Sequence, residues 1–456
     1  MSASVLVLSA EPVEERMAGP AIRAAELARA LAAAGSRVTL AAPVGPAGAS
    51  SSAPSSLSRL DAGFEHFDTL LEAAREHDVV LAQELPPTLL GRLRRLPVRL
   101  ALDLYNPVVV EVLEAVARES PRAQRRIQQL IGMRALAQCA VADFIVCASE
   151  RQRDLWLGGM AMNGLIDLET YRRDPTLRSL IDVVPFGIPD EPPPEAAAEP
   201  VLKDGWPGIA PEDRVLLWAG GIWGWLDPAT PIRAVKLLDG AGAPPTHLVF
   251  LGTARPGLER TGQAPYAERA RELARREGLE GRVVHFNDGW VPYAERGRWL
   301  AEADLGVSAH LDHLEARFSF RTRILDYLWA GLPVVTSSGD ALGDLVEHTR
   351  VGRAVPPGDP EAFAAACSEL LDAGGEERAR IAELRPSLRW SEVTRPLAAW
   401  CDRAPALPPR RSQAGALRRA VRVQYLRTIP ETTRTRGVRD AARQIGRRLR
   451  RIASRP

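Results

Sequence analysis

Short, mostly apolar runs alternate with helical stretches along nearly the whole chain, and this alternation restricts the fold more than any other feature. "VLVLSA" (5–10), "RVTLAAP" (37–43), "DVVLAQ" (78–83), "VRLALDL" (98–104) and "DFIVCAS" (143–149) each have the length of one strand. A strand with apolar side chains toward both faces is buried on both, as in a parallel sheet covered by helices. "PAIRAAELARALAAAG" (20–35) supplies such a helix: Ile22, Leu27 and Leu31 share a face, with Pro20 at its start and Gly35 at its end. Strand, helix, strand in this order predicts βαβ winding.

The second half repeats the scheme in "RVLLWAG", "THLVFLG", "RVVHFND", "ADLGVSA", "PVVTSSG" and "GRAVPPG", with helices expected near 228–239, 263–278, 292–303, 321–330 and 359–372. Most of these strands end in Gly, Ser or Asp, the small polar residues that line a crevice at the carboxyl edge of such a sheet. The reading is α/β: two Rossmann-like domains with mostly parallel sheets facing a cleft. The expected divisions are 1–190, a Pro- and Ala-rich linker at 191–212, a second domain at 213–388, a helix at 389–403 returning to the first domain, and a tail at 404–456.

That tail holds fifteen arginines and two acids, a balance of +13, so the remaining chain carries −11 behind a formal net charge of +2. Within "TRGVRDAARQIGRRLRRIAS" (435–454), Val438, Ala442, Ile445, Leu449 and Ile452 recur at helical steps. A basic amphipathic helix that lies on an anionic bilayer surface fits this pattern; a disordered tail and a helix docked on the acidic body fit it too. Nucleic acid is not expected as a partner, since Tyr425 is the tail's one aromatic residue. No run reaches 18 apolar residues, and Cys139, Cys147, Cys367 and Cys401 form no paired spacing. The expectation is a cytoplasmic protein with reduced thiols, peripheral to the inner membrane face if the tail binds there.

Chemistry concentrates in "EARFSFRTRILDYLWAGLPVV" (315–335), where Glu315, Arg317, Arg321, Arg323 and Asp326 border an apolar segment. Carboxylates accept hydrogen bonds from paired hydroxyls, and guanidinium groups bind phosphate in a bidentate manner. The stretches "AGPAIRAAELARALAAAGSRVTLAAP", "DVVPFGIPDEPP" and this one, in that order, resemble the motifs of retaining GT-B glycosyltransferases of family 4 over roughly residues 3–402.

The resemblance implies transfer of a sugar from a nucleoside-diphosphate sugar to an acceptor hydroxyl with retention of configuration, in glycan or glycoconjugate biosynthesis. The nucleotide-sugar is then a co-substrate, and no further cofactor or metal is implied. Asp326 would take the ribose hydroxyls and Glu315 a hydroxyl of the transferred sugar. The family's two acids stand eight positions apart, but here position 318 is Phe, and Glu315 lies eleven residues before Asp326. A three-residue loop insertion would restore Glu315 to the donor. The loop "WAGGIWGWLDP" (218–228) lacks the family's basic pair, so phosphate contacts fall to the backbone at Gly220 and Gly221 and to Arg317, Arg321 and Arg323. Phe318 and Ser319 belong to the same donor loop. Trp223, Trp290 and Val291 would flank the nucleotide, and Gly19 and Pro20 would form the phosphate-facing loop of the first domain. In "LDLYNP" (102–107), Asp103 is the candidate catalytic group beside Glu315, with Tyr105 and Asn106 toward the acceptor, which could be a glycan, a lipid-linked glycan or a small molecule.

A nicotinamide dehydrogenase would carry G-x-G-x-x-G after a first strand, and neither "LVLSAEPVEERMAGP" nor "LWAGGIWGWLDP" does. A nucleotide-sugar epimerase and a catalytically silent binding subunit of the same fold remain open at this point.

Overall fold

The computed structural model describes residues 2–15, 17–45, 57–117, 119–193, 199–239, 244–252, 264–289 and 291–406. Its first sheet contains β1 (Ser4–Leu8), β2 (Arg37–Ala42), β3 (Leu57–Asp61), β4 (Val79–Ala82), β5 (Arg99–Asp103), β6 (Phe144–Cys147) and β7 (Ile181–Val183). Its second contains β8 (Arg214–Trp218), β9 (Thr246–Phe250), β10 (Val284–Phe286), β11 (Leu305–Ser308), β12 (Val334–Ser337) and β13 (Gly352–Val355). The pairings are parallel in both, as the apolar runs predicted. β1, β4, β6, β9 and β11 are buried along their whole length. β3 is the exception: "LSRLD" has only intermediate and exposed positions at the sheet edge, and no apolar run announces it.

The strand orders are β3-β2-β1-β4-β5-β6-β7 and β10-β9-β8-β11-β12-β13. Both reverse direction once, between β1 and β4 and between β8 and β11, so the loops leaving those strands diverge and open a crevice. The two halves therefore share a doubly wound Rossmann-like plan.

The chain recrosses after the helix Glu376–Leu388: Ile188 N–H donates to the Leu388 carbonyl at 2.8 Å, and Trp390 N–H returns a bond to the Ile188 carbonyl at 3.0 Å. The helix Arg395–Arg403 then docks on the first domain, where Trp400 stacks on Phe144 of β6 with ring centres 4.9 Å apart. All four cysteines are buried free thiols. Among the described residues no helix is long and apolar enough to cross a membrane. The Arg-rich stretch from residue 407 onward, including the amphipathic pattern at 435–454, lies outside the described residues.

Candidate active site

Loops from the carboxyl ends of both sheets meet across a cleft of about 340 Å³. The second domain contributes the segment after β8, with Gly220, Gly221 and Trp223, and the segment after β11, with Glu315, Ser319 and Arg321. These are the two strands between which the sheet order reverses. Tyr327 ties their ends together: its hydroxyl accepts from Ala219 N–H at 2.9 Å and donates to the Val307 carbonyl at 2.8 Å. The ring lies so close to β11 that a Cβ on Gly306 would stand 2.1 Å from it, which explains the glycine inside that strand.

Glu315 occupies the first turn of the short helix Leu314–Phe318, whose preceding residue His313 accepts the Ala316 N–H at its Nδ1, 3.2 Å away. The Glu315 carboxylate is 4% exposed and accepts a hydrogen bond from Arg321 Nη2 at 2.7 Å. Behind this pair, Asp340 lies 3.8 Å from both Arg321 Nε and His310 Nε2, fully buried. Burial pushes the Asp340 carboxyl up and His310 down, and the charges of His310 and Arg321 oppose the rise at Asp340.

Arg323 takes a different course. Its guanidinium reaches back under the loop after β8, where Nη2 donates to the Gly221 carbonyl at 2.9 Å and the group stacks 4.5 Å over the Trp218 ring. Gly220 has φ +130°, a backbone conformation that glycine adopts without strain, and it lies directly over the same Nη2. The Nη1 atom is buried without a partner, and among the described residues no carboxylate pairs with Arg323. Burial lowers its pKa to about 10, so it remains a cation at neutral pH.

Asp326 faces the cleft one helical turn on, and one oxygen accepts from Arg296 Nε at 2.9 Å. Arg296 lies between the Tyr293 and Trp329 rings, at 3.6 and 4.6 Å from their centres, and leaves a buried Nη2 unpartnered. Trp223 and Trp225 stack face to face, 5.4 Å apart, on the same wall.

The cleft thus brings together Gly19, Asn106, Gly220, Gly221, Trp223, Val291, Glu315, Ser319, Arg321, Arg323 and Asp326 of the residues singled out in the sequence. Trp290 lies outside the described residues. Five others do not reach the wall. Asp103 points inward, 3% exposed, and is gripped by Arg23 through Nε at 2.6 Å and Nη2 at 2.9 Å. Tyr105 belongs to the core, edge-on to Phe186 at 5.1 Å and beneath the same guanidinium. Pro20 opens the helix Gly19–Ala33, and its carbonyl accepts from Gln83 Nε2 at 2.8 Å. Arg317 is exposed on the outer side of its helix, and Phe318 meets the first domain through its carbonyl, which accepts from Gln152 Nε2 at 2.9 Å.

Arg296, Glu111 and the rings of Phe186, Phe320 and Trp390 line the cleft without having been singled out, and Trp225 joins Trp223 there. Glu111 did leave a trace, as the single charge within "VVVEV" (108–112). Burial first, and the Glu315 charge second, push its carboxyl up to about 7.

Residues 213–373 match the family model described as glycosyl transferases group 1. No curated protein sequence matches the chain. Among solved structures, a sucrose-phosphate synthase from Thermosynechococcus elongatus is similar with a TM-score of 0.59 and 19% identity, over 87% of this chain and 97% of that one. The Anabaena protein HepE in complex with UDP-glucose gives a TM-score of 0.59 at 15% identity, over 89% and 100% of the two chains. The trehalose-6-phosphate synthase OtsA gives 0.56 at 14%, over 90% and 100%. The architecture is accordingly GT-B, and the match to the group 1 glycosyltransferase model falls within its second domain.

Proposed function

We propose that the protein moves a sugar from a nucleoside-diphosphate sugar to an acceptor hydroxyl, with retention of configuration, using arginines instead of a metal ion at the diphosphate. The observation that carries this reading is Arg323, a half-buried cation with no carboxylate partner among the described residues and a buried, unpartnered Nη1, set beneath a glycine loop on the cleft wall. A buried unpaired charge is costly unless an anion completes it, and a diphosphate would do so. The helix Gly19–Ala33 supports the same ligand from the other wall, since its N-terminus has no side-chain cap and Gly19 faces the cleft. In this reading both sites would face the leaving group as it gains negative charge on breaking of the glycosidic bond.

In this reading the acceptor oxygen bonds to the anomeric carbon while the bond from that carbon to the diphosphate oxygen breaks. The electron pair leaves with the nucleoside diphosphate, which takes the acceptor proton on the same face. Glu315, held in one orientation by Arg321, accepts hydrogen bonds from the transferred sugar, and the outer oxygen of Asp326 accepts from the ribose. The test is a mass-spectrometric screen of nucleotide-sugars for transfer or hydrolysis. Turnover of at least one donor is expected, reduced at least tenfold in Glu315→Gln, equivalent to about 1.4 kcal/mol of transition-state binding. Consumption of none would overturn the reading.

The proposal extends to a cytoplasmic location at an anionic membrane surface, supported by the basic amphipathic pattern at 435–454. Each arginine near such a surface contributes about 1 kcal/mol. Ala404 is fully buried in the turn Ala404–Ala406, so a truncation should retain residue 406. Full-length protein should float with anionic vesicles at low salt and be released at high salt, whereas residues 1–406 should stay soluble throughout. Equal recovery of the two proteins under every condition would refute membrane binding.

A further inference from the structure

We propose that the acceptor end of this cleft takes a neutral or amino-bearing hydroxyl compound with an apolar face, held by Glu111 and laid against Phe186, Phe320 and Trp390. The inference rests on the glycosyltransferase reading and narrows the class of its second substrate.

Glu111 stands on the helix Val108–Ala115, and among the described residues it is the one titratable side chain that the first domain places on the cleft wall. The rest of that wall is apolar or uncharged, including Met17, Ile22, Asn106 and Phe186. The carboxylate is only partly buried, and no side chain or backbone N–H of the described residues donates to it. Burial first and the facing Glu315 charge second raise its carboxyl to about 7, and the Arg321 charge offsets part of that rise. A ligand hydroxyl or ammonium group would supply the missing donor, and charge-assisted bonds of this kind are roughly twice as strong as neutral ones.

The cations that an anionic acceptor would need are engaged elsewhere. Arg23 is fully buried on Asp103 and on the Val184 carbonyl, with the Tyr105 and Phe186 rings over its guanidinium. Arg153 donates to the carbonyls of Ile181 and Thr176, and Arg151 crosses to Gly339 and Asp344 of the second domain. Arg321 is bonded to Glu315. A phosphate or carboxylate placed beside Glu111 would also meet the Glu315 carboxylate, which already engages Arg321, while Arg296 and Arg323 stand on the second-domain wall, so the arrangement disfavours an anion at the first-domain end.

The aromatic side favours a flat apolar surface. Phe186 stacks at 6.3 Å on Phe320 and lies 5.8 Å from Trp390, so rings from the interdomain segment, the donor loop and the short helix Trp390–Val393 form one mostly buried cluster whose edge lines the cleft. An apolar wall with one convergent polar group fixes the orientation of a ligand more than it adds affinity. Glu111 would thereby aim the reacting hydroxyl at the anomeric carbon from the first-domain side.

The experiment uses the full-length protein with whichever donor it consumes, and measures nucleoside diphosphate release. The acceptor probes are glucose, glucosamine, 4-nitrophenyl glucoside, aliphatic alcohols and glucose 6-phosphate. Transfer to the neutral and amino probes should exceed transfer to the phosphate at least tenfold. Glu111→Gln should raise the acceptor KM at least tenfold with donor KM unchanged, a split that a merely structural role would not produce. Glu111→Lys should shift preference toward glucose 6-phosphate. Preference of the wild type for the phosphate, absence of transfer to every neutral and amino probe, or an unchanged acceptor KM in Glu111→Gln would each overturn the inference while donor turnover persists. Failure of the wild type to consume any nucleotide-sugar would instead defeat the glycosyltransferase reading beneath it.

Discussion

Arg323→Met should weaken binding of a nucleoside diphosphate by about 10- to 150-fold, since a hydrogen bond to a charged group contributes about 1.5–3 kcal/mol. The matching nucleoside, which lacks the phosphates, should bind the variant nearly as it binds the wild type. The contrast follows from position. The guanidinium lies under Gly220 and Gly221, with Nη1 unpartnered, while the ribose and base would meet Asp326 and the tryptophan wall. Arg323→Lys should recover part of the affinity, because it restores a cation but not the planar fork that fits two phosphate oxygens. The variant must remain folded, for Arg323 also covers Trp218 and bonds the Gly221 carbonyl. Methionine keeps most of that packing volume. Calorimetric titration of a panel of nucleosides and their diphosphates, with melting curves as the control, decides the matter. An equal loss for nucleoside and diphosphate would show that the arginine serves the loop and not the ligand.

That arginine also shows how far a sequence can be read. The absence of Lys and Arg from residues 218–228 is visible without a structure, and it requires a cation from another segment if a diphosphate binds there. Arg317, Arg321 and Arg323 were equal candidates because spacing along the chain does not say where a long side chain ends. Folding separates them: one faces solvent, one grips Glu315, and one enters the loop. The strands were legible because burial on both faces leaves unbroken apolar runs, whereas β3 alternates at an edge and leaves none. The helix Glu376–Leu388 was hidden by Pro386, which usually ends a helix but stands here in the last turn. Arg296 and Glu111 gain their significance only from groups of other segments that approach them, namely Asp326, Tyr293 and Glu315. No local pattern encodes such an approach. Asp103 is the opposite case, a residue whose position at a strand end points to the cleft until its partner is known. Arg23 lies 80 residues earlier and turns it inward.

The Asp103–Arg23 pair yields the other large effect, and it is one of stability. Asp103→Ala should destabilise the first domain by about 3–5 kcal/mol, because it strands a guanidinium that has no exposure and already leaves Nη1 unpartnered. For a unit of this size, that corresponds to a fall in melting temperature of roughly 6–20 °C. The two rings over Arg23 keep water from replacing the lost carboxylate. Removing both partners should be far milder. In Arg23→Met with Asp103→Leu, the buried charges and their desolvation cost disappear together, and replacing a buried ion pair by apolar groups is often neutral or stabilising. The pair therefore predicts strong non-additivity in a double-mutant cycle, with a coupling at the upper end of the usual range of about 0.5–3 kcal/mol or beyond it. The same cycle separates structure from chemistry. If Asp103 is structural, turnover per folded molecule should survive in the double variant, because neither side chain lines the cleft. A double variant that melts like the wild type yet transfers no sugar would return Asp103 to the reaction. A single Asp103→Ala variant of unchanged stability would show that the ion pair carries little of the fold.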